Sequence, residues 1–255
     1  MNTSKHVRIE RISSLLAITL ARPEKKNALT GEMYQVLWQA LELASAEASI
    51  QVVLVDADGA DFCAGNDIAD FVALARSEQT LENSDVYRFL RALALFEKPL
   101  VAAVRGRAVG VGLTMLLHCD LVYVADNTRL SAPFVDLALV PEAAASLLLP
   151  ARIGHVRAFA LFALGEALDG RAAVDCGLAN AAVAADEVTP RARAAALALA
   201  EKPALALQAT KKLMRDHARM LAVIESEGRE FAQRLVSAEA QATFRAFMRR
   251  RGTGS

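Results

Sequence analysis

The chain has 255 residues, 54% hydrophobic and 23% charged, enough to bury one sizeable core with an appended extension. Lys plus Arg and Asp plus Glu both total 29, so no chain-wide field recruits nucleic acid or an anionic membrane. Cys63, Cys119 and Cys176 are odd in number, far apart and set beside apolar residues, which suits reduced, buried thiols in a reducing compartment and argues against a disulfide framework.

Val7 to Ile12 and Leu15 to Ala21 are β-rich runs parted by Ser13-Ser14, a hairpin pattern leading into the turn Arg22-Pro23-Glu24-Lys25-Lys26-Asn27. Thr30 caps a helical pattern through Ala46, with Met33, Leu37, Ala40, Leu41 and Ala44 on one face. Gln51 to Ala57 is a buried-type strand that delivers the turn Phe62-Cys63-Ala64-Gly65-Asn66-Asp67-Ile68. Helical periodicity covers Ile68 to Leu74 and Asp85 to Glu97, with the polar stretch Arg76 to Asn83 between them expected as a mobile loop. Leu100 to Val104 is extended and ends in a second turn, Gly106-Arg107-Ala108-Val109-Gly110-Val111-Gly112. A helix over Val111 to His118 and a strand over Leu121 to Val124 follow.

A loop is expected from Pro133 to Pro141, then helices over Glu142 to Ile153, His155 to Leu164 and Gly170 to Cys176, the last capped by Asp169 and stopped by Gly177. A short strand, Asn180 to Val183, precedes a largely helical tail from Asp186 to Arg250, broken at Pro203, around His217 and at Ser237. Apolar tail residues such as Phe231, Leu235, Phe244, Phe247 and Met248 need a surface to pack on, and a neighbouring subunit is a natural one.

The two glycine-bearing turns each follow an apolar strand and open a helix. Such turns leave backbone N–H groups unpaired and ready to hold an oxygen that becomes negative. Either turn alone is more often a tight corner than a site, but as a pair they point to an oxyanion hole. The dinucleotide fingerprint fails because no Gly stands three residues beyond Gly112, and the Walker phosphate pattern is absent. His118 and His155 lack partners at metal-ligand spacing, so no metal is assigned and both read as packed or surface histidines. Ser131 and Ser146 lack a nucleophile-elbow context.

Glu142 lies among Val140, Pro141, Ala143, Ala144, Ala145 and the run Leu147-Leu148-Leu149. An apolar setting raises a carboxylate's proton affinity toward the range a general base needs. A Glu just after Pro is also favoured at a helix start by the macrodipole, and the residues leave both readings open. Asp67 reads first as a helix-start residue.

The chain resembles the crotonase, or enoyl-CoA hydratase/isomerase, superfamily over nearly its full length. Arg22-Pro23-Glu24-Lys25-Lys26-Asn27-Ala28-Leu29 is similar to the family's opening signature, Phe62-Cys63-Ala64-Gly65 followed by Asp67 to its first oxyanion turn, and Lys98-Pro99 onward to its second. The resemblance implies an α/β fold, a spiral of ββα units over residues 1–195, with a helical trimerisation region over 196–255. It further implies a homotrimer or homohexamer and thioester enolate chemistry on an acyl-CoA substrate, with coenzyme A as part of the substrate and no separate cofactor.

By the same resemblance, the oxyanion donors are the N–H groups of Asn66 and Val111. Lys26, Ala28, Ala64, Gly65, Asn66, Asp67, Ile68, Gly110, Val111 and Phe134 are implied substrate-binding positions. Thr114 and Phe134 stand where a hydratase carries its two glutamates. Ala64-Gly65-Asn66-Asp67-Ile68, Pro133-Phe134 and Pro141-Glu142-Ala143 are instead similar to the peroxisomal-type Δ3,Δ2-enoyl-CoA isomerases, whose single Glu after a Pro is the acid/base; here that residue is Glu142. Rival readings are a divergent hydratase, an enzyme using Glu142 as nucleophile or hydrolytic base, and a catalytically silent scaffold. Lys25, Lys26 or the C-terminal arginines are available to CoA phosphates, although solvation is the commoner fate of surface charge. The opening residues carry no signal-type apolar region, no apolar run is long enough to span a bilayer, and the ending is not a Ser-Lys-Leu address. A cytoplasmic protein without nucleic-acid or membrane partners is expected.

Overall fold

The computed structural model describes residues 4–71 and 83–252, with the side chains of 247, 248 and 250–252 excepted. The expected hairpin is β1 (Val7–Ile12) and β2 (Leu15–Leu20), antiparallel in the register Val7 to Leu20 through Ile12 to Leu15. Helix α1 (Gly31–Ala46) follows, its first turn capped by Thr30, whose hydroxyl accepts from the Met33 N–H. Strand β3 (Val52–Ala57), helix α2 (Asp85–Leu95) and strand β4 (Leu100–Val104) come next. Of the helix expected over 68–74, residues 68–71 are helical. Its remainder, and the polar stretch up to residue 82, lie outside the described residues.

The second glycine turn is not a simple corner. It contains a strand, β5 (Arg107–Val109), before α3 (Val111–Thr114), and the expected helix to His118 tightens into a 3-10 turn over Met115–His118. Strands β6 (Leu121–Ala125) and β7 (Arg129–Ser131) lead to a loop holding a 3-10 turn, Val135–Leu137. Then come α4 (Ala145–Ile153), α5 (His155–Ala163), β8 (Ala167–Leu168), α6 (Gly170–Asp175) and β9 (Ala181–Val183). The tail is α7 (Val188–Ala200), α8 (Ala204–Met214), α9 (His217–Leu235) and α10 (Ala238–Gly252).

The main sheet runs in the order β1-β2-β3-β4-β6-β9, parallel from β2 onward, and a small second sheet joins β5, β7 and β8. A parallel sheet is covered on both faces, so its strands read as continuous apolar runs and alternate residues serve two cores. Leu16, Ile18, Val53, Val55 and Ala102 face one core with Met33, Leu37 and Leu41 of α1. Leu15, Val52, Leu54, Val101 and Ala103 face the other with Val188, Ala192 and Ala196 of α7. Fully burying each Val or Leu contributes ~1.5–3 kcal/mol, which makes this sheet the rigid platform for the turns at its strand ends. Buried Lys98, just before β4, ties the C-terminal end of α1 to the sheet by donating to the carbonyl of Ala44 in its last turn and to those of Glu47 and Ile50 beyond it. In the tail, Phe231, Leu235 and Phe244 are buried against their own chain, without help from a neighbour.

Candidate active site

The first turn is stitched to the Arg22–Leu29 segment. Asn27, fully buried, donates through Nδ2 to the carbonyls of Asp58 (2.9 Å) and Asp61 (2.7 Å) and accepts from the Arg22 N–H (2.7 Å). From this anchor the Lys26 carbonyl accepts from Ala64 N–H at 2.9 Å, and Leu29 brackets Asn66: its N–H donates to Gly65 and its carbonyl accepts from Asp67, both at 2.8 Å. Because backbone groups alternate sides along an extended chain, the Asn66 N–H faces away from this seam. It has no hydrogen-bond partner among the described residues. The Asn66 side chain is fixed too, its Oδ1 accepting from the Tyr34 hydroxyl at 2.5 Å.

Asp67 faces Arg22 at 2.8 Å. Burial disfavours its charge, but the Arg22 guanidinium and the Ala69 and Asp70 N–H groups outweigh that and hold its carboxyl below the usual range. It is therefore an ionised strut of the turn.

The second turn is seated directly on the first. Cys63 N–H donates to Arg107 (3.0 Å) and its carbonyl accepts from Val109 N–H (2.9 Å), a parallel bridge between Cys63 and Ala108. A Cβ on Gly112 would stand 2.6 Å from the Cys63 carbonyl oxygen, so the helix start closes on the first turn only because that residue is glycine. Gly110, at φ 56°, swings the chain from β5 into α3. Val111 opens that helix, and its N–H likewise has no partner among the described residues.

Glu142 is not where a helix-start glutamate would be. Helix α4 begins at Ala145, and Glu142 lies in the preceding turn, followed by Ala143 and Ala144 at φ 63° and 56°. The helix-start reading is thereby overturned: two left-handed residues separate the carboxylate from the helix axis. Glu142 is buried, and its Oε1 accepts a 2.6 Å hydrogen bond from the Thr114 hydroxyl. Burial pushes its pKa up to about 7, the Thr114 bond pulls down, and the nearby charge of Glu227 pushes up. A carboxyl poised there can both take and return a proton near neutrality.

The expected residues largely converge. A cleft of about 610 Å³ is lined by Ala64, Gly65, Asn66, Ile68, Gly110, Val111 and Phe134, with Phe231 and Phe244 on the far wall. Glu142 and Asn66 meet at a smaller adjoining cavity of about 20 Å³, walled by Phe71, Tyr87, Leu90 and Phe231. Helix α10 thus contributes Thr243, Phe244 and Ala246 to the cleft. Lys26, Ala28 and Asp67 are not in the lining; Lys26 and Asp67 join the first turn to the Arg22–Leu29 segment through their main chains, and the Ala28 carbonyl accepts from the Arg22 guanidinium that also bonds Asp67. Of the described residues lining the two spaces, Glu142 and exposed Asp136 are the carboxylates.

Four residues that the sequence did not bring forward as partners complete the arrangement. Thr114 holds Glu142 and Tyr34 holds Asn66. Glu227 of α9 accepts from the N–H groups of Ala144 (2.7 Å) and Ser146 (2.8 Å), and the His118 ring donates from Nε2 to the Ala143 carbonyl (2.8 Å). Burial lowers the His118 pKa to about 3, so the ring is neutral and the carbonyl acceptor fixes the Nε2–H tautomer.

A family model described as enoyl-CoA hydratase/isomerase matches residues 10–253. The chain belongs to the enoyl-CoA hydratase/isomerase family. A Rhodobacter capsulatus protein named a probable enoyl-CoA hydratase is 32% identical over 206 residues, covering 81% of this chain and 79% of that one. Rat enoyl-CoA delta isomerase 2 is 34% identical over 178 residues, 69% of this chain but 45% of the longer rat protein. Among solved structures, Pseudomonas aeruginosa OdaA superposes with a TM-score of 0.92 at 44% identity, covering 96% of this chain and 99% of that one. The fold is the crotonase-type α/β fold of this family.

Proposed function

We propose that this family member is a Δ3,Δ2-enoyl-CoA isomerase. The observation carrying the reading is Glu142, the one buried carboxyl among the described residues lining the two spaces, poised near neutrality beside Asn66; by resemblance, Thr114 and Phe134 stand where a hydratase would carry acids. A 3-enoyl-CoA binds with its thioester oxygen between the N–H groups of Asn66 and Val111. Glu142 removes a proton from C2, the electrons spread over the dienolate to the thioester oxygen, and Glu142 returns the proton to C4. One base serves both steps, and no water is consumed. Each oxyanion donor of this kind is worth ~2.7–4 kcal/mol of transition-state stabilisation. The aromatic wall of Phe71, Phe134 and Phe231 keeps water from the dienolate.

Incubation with a panel of 2-enoyl and 3-enoyl CoA esters, with product identification, tests the reading. Conversion of 3-enoyl to 2-enoyl esters, abolished in Glu142→Gln with CoA-ester binding retained, is the expected result; an unchanged rate removes Glu142 from the role. Hydration is the second reading, favoured by the hydratase names of relatives such as the Rhodobacter capsulatus protein. Formation of 3-hydroxyacyl-CoA from crotonyl-CoA would establish it.

The assembly belongs to the same proposal: a cytoplasmic homotrimer or homohexamer. Val156 and Phe159 on α5 are 82% and 60% exposed and Leu213 at the end of α8 is 89% exposed, apolar surface that association would cover. Sedimentation equilibrium at micromolar concentration distinguishes monomer, trimer and hexamer. Among the described residues no helix is long and apolar enough to cross a membrane.

A further inference from the structure

Glu227 falls on the apolar stripe of α9, in line with Met220, Ile224, Phe231 and Leu235, and is buried with them. A carboxylate on such a stripe needs partners, and it finds them across the fold in the N–H groups of Ala144 and Ser146, one to each oxygen. These bonds span the start of α4, which has no side-chain cap of its own. Opposite them, His118 holds the Ala143 carbonyl. The Ala143 carbonyl and the Ala144 N–H are the two ends of one peptide group, so the anchors grip the link between consecutive left-handed alanines, a conformation that an L-residue with a Cβ adopts only when its surroundings impose it.

We propose that Glu227 is a positioning residue for Glu142: with His118 opposite, its carboxylate holds the left-handed turn open and so aims the Glu142 carboxyl at the cavity beside Asn66. Without that hold, Ala143 and Ala144, both strong helix formers, extend α4 backward and carry Glu142 onto the helix. The charge of Glu227 acts on Glu142 as well, adding to burial in disfavouring its ionised form. The other groups facing Glu142 are the Thr114 hydroxyl from α3, the Tyr34 phenol from α1 and the Cys63 thiol from the first turn; burial pushes the phenol's pKa up, and the thiol's up to about 12, so both stay neutral.

The inference rests on Glu142 acting as the base, and its test keeps the two apart. In Glu227→Gln, with 3-enoyl-CoA as substrate, kcat is expected to fall by on the order of 100-fold at nearly constant KM, the loss typical of a misaimed group. The Glu142 carboxyl, followed by 13C NMR and assigned by its loss in Glu142→Gln, is expected to titrate at lower pH because a neighbouring negative charge is gone. Glu227→Asp keeps the charge but shortens the reach, so it is expected to lower kcat while leaving the Glu142 titration in place; it carries the test should the Gln variant fail to fold. A kcat within twofold of wild type in either variant, or an unmoved Glu142 titration in Glu227→Gln, overturns the proposal. Activity surviving in Glu142→Gln instead defeats the base assignment, and the NMR titration still reads whether Glu227 governs Glu142.

Discussion

The Thr114 hydroxyl donates to Glu142 at 2.6 Å, a hydrogen bond between two buried side chains 28 residues apart in the chain. That bond favours the ionised carboxylate and opposes burial, which raises the pKa to about 7. A hydrogen bond to a charged group is worth ~1.5–3 kcal/mol, or roughly one to two pH units. Thr114→Val is therefore expected to move the acid limb of kcat/KM upward by about that much, whereas Thr114→Ser leaves it near the wild-type position. A pH–rate profile between pH 5 and 10 reads the difference.

Glu142 also couples stability to pH. Its folded pKa of about 7 lies above the ordinary 4.5, so the folded state holds the proton more tightly than the unfolded chain. Stability contributed by the protonated carboxyl is complete below about 4.5 and is lost as pH rises through about 7. Glu142→Gln escapes that loss. It is expected to be more stable than wild type at pH 8 by on the order of a few kcal/mol, with the gap closing near pH 5. Urea unfolding at the two pH values measures this, and equal differences at both would contradict it.

Gly112 and Gly110 separate close approach from backbone geometry. A Cβ at Gly112 meets the Cys63 carbonyl at 2.6 Å, whereas one at Gly110 meets nothing within 4 Å but sits at φ 56°. Gly112→Ala forces the two turns apart, at ~1–3 kcal/mol, with a melting point lower by several degrees and a reduced kcat. Gly110→Ala is limited to the cost of backbone conformation, a Cβ at φ 56° and ψ −120°, outside the left-handed helical basin, at ~1–3 kcal/mol, without pushing the turns apart. Thermal melts and kcat of both variants, compared side by side, decide the matter.

Asn27→Ala leaves the Asp58 and Asp61 carbonyls and the Arg22 N–H without their partner. Each buried orphan is worth ~1–3 kcal/mol, so destabilisation of at least about 2 kcal/mol is expected. The loosening should propagate to the first turn through Lys26 and Leu29, and hydrogen exchange at the Ala64 and Asp67 amides should speed up. Protection unchanged at those amides would show that the turn stands without its seam.

Long elements were legible because their signals are long. The hairpin, α1 with its Thr30 cap, and the apolar strands β3, β4 and β6 all stand where pattern and turn chemistry put them. Strands β5, β7 and β8 have three, three and two residues, too short for a two-residue alternation to register, and their pairing is set by contacts distant in sequence. Ala143-Ala144-Ala145 reads as helix because alanine is the best helix former; Ala145 does open α4, but at Ala143 and Ala144 tertiary bonds from Glu227 and His118 override that preference. A signal for Glu227 did exist. Met220, Ile224, Phe231 and Leu235 outline an apolar stripe, and a glutamate falling on it asks for a buried partner. Convergence of Asn66, Val111 and Phe134 on one cleft was readable only through family resemblance, since nothing local in the sequence joins residues so far apart.

The seam between Cys63 and Ala108 has one further implication, for how such a protein can change over generations. The two N–H groups at the turns, without partners among the described residues, belong to the main chain, so, short of proline, replacing the Asn66 or Val111 side chain does not remove the donor. On the proposed reading, proton handling depends instead on the Glu142 side chain and on the Thr114 hydroxyl bonded to it. Mutation can therefore retarget the reaction one side chain at a time on a backbone that keeps the same two N–H groups in place, which is the kind of inheritance that lets one ancestral scaffold give rise to different chemistries.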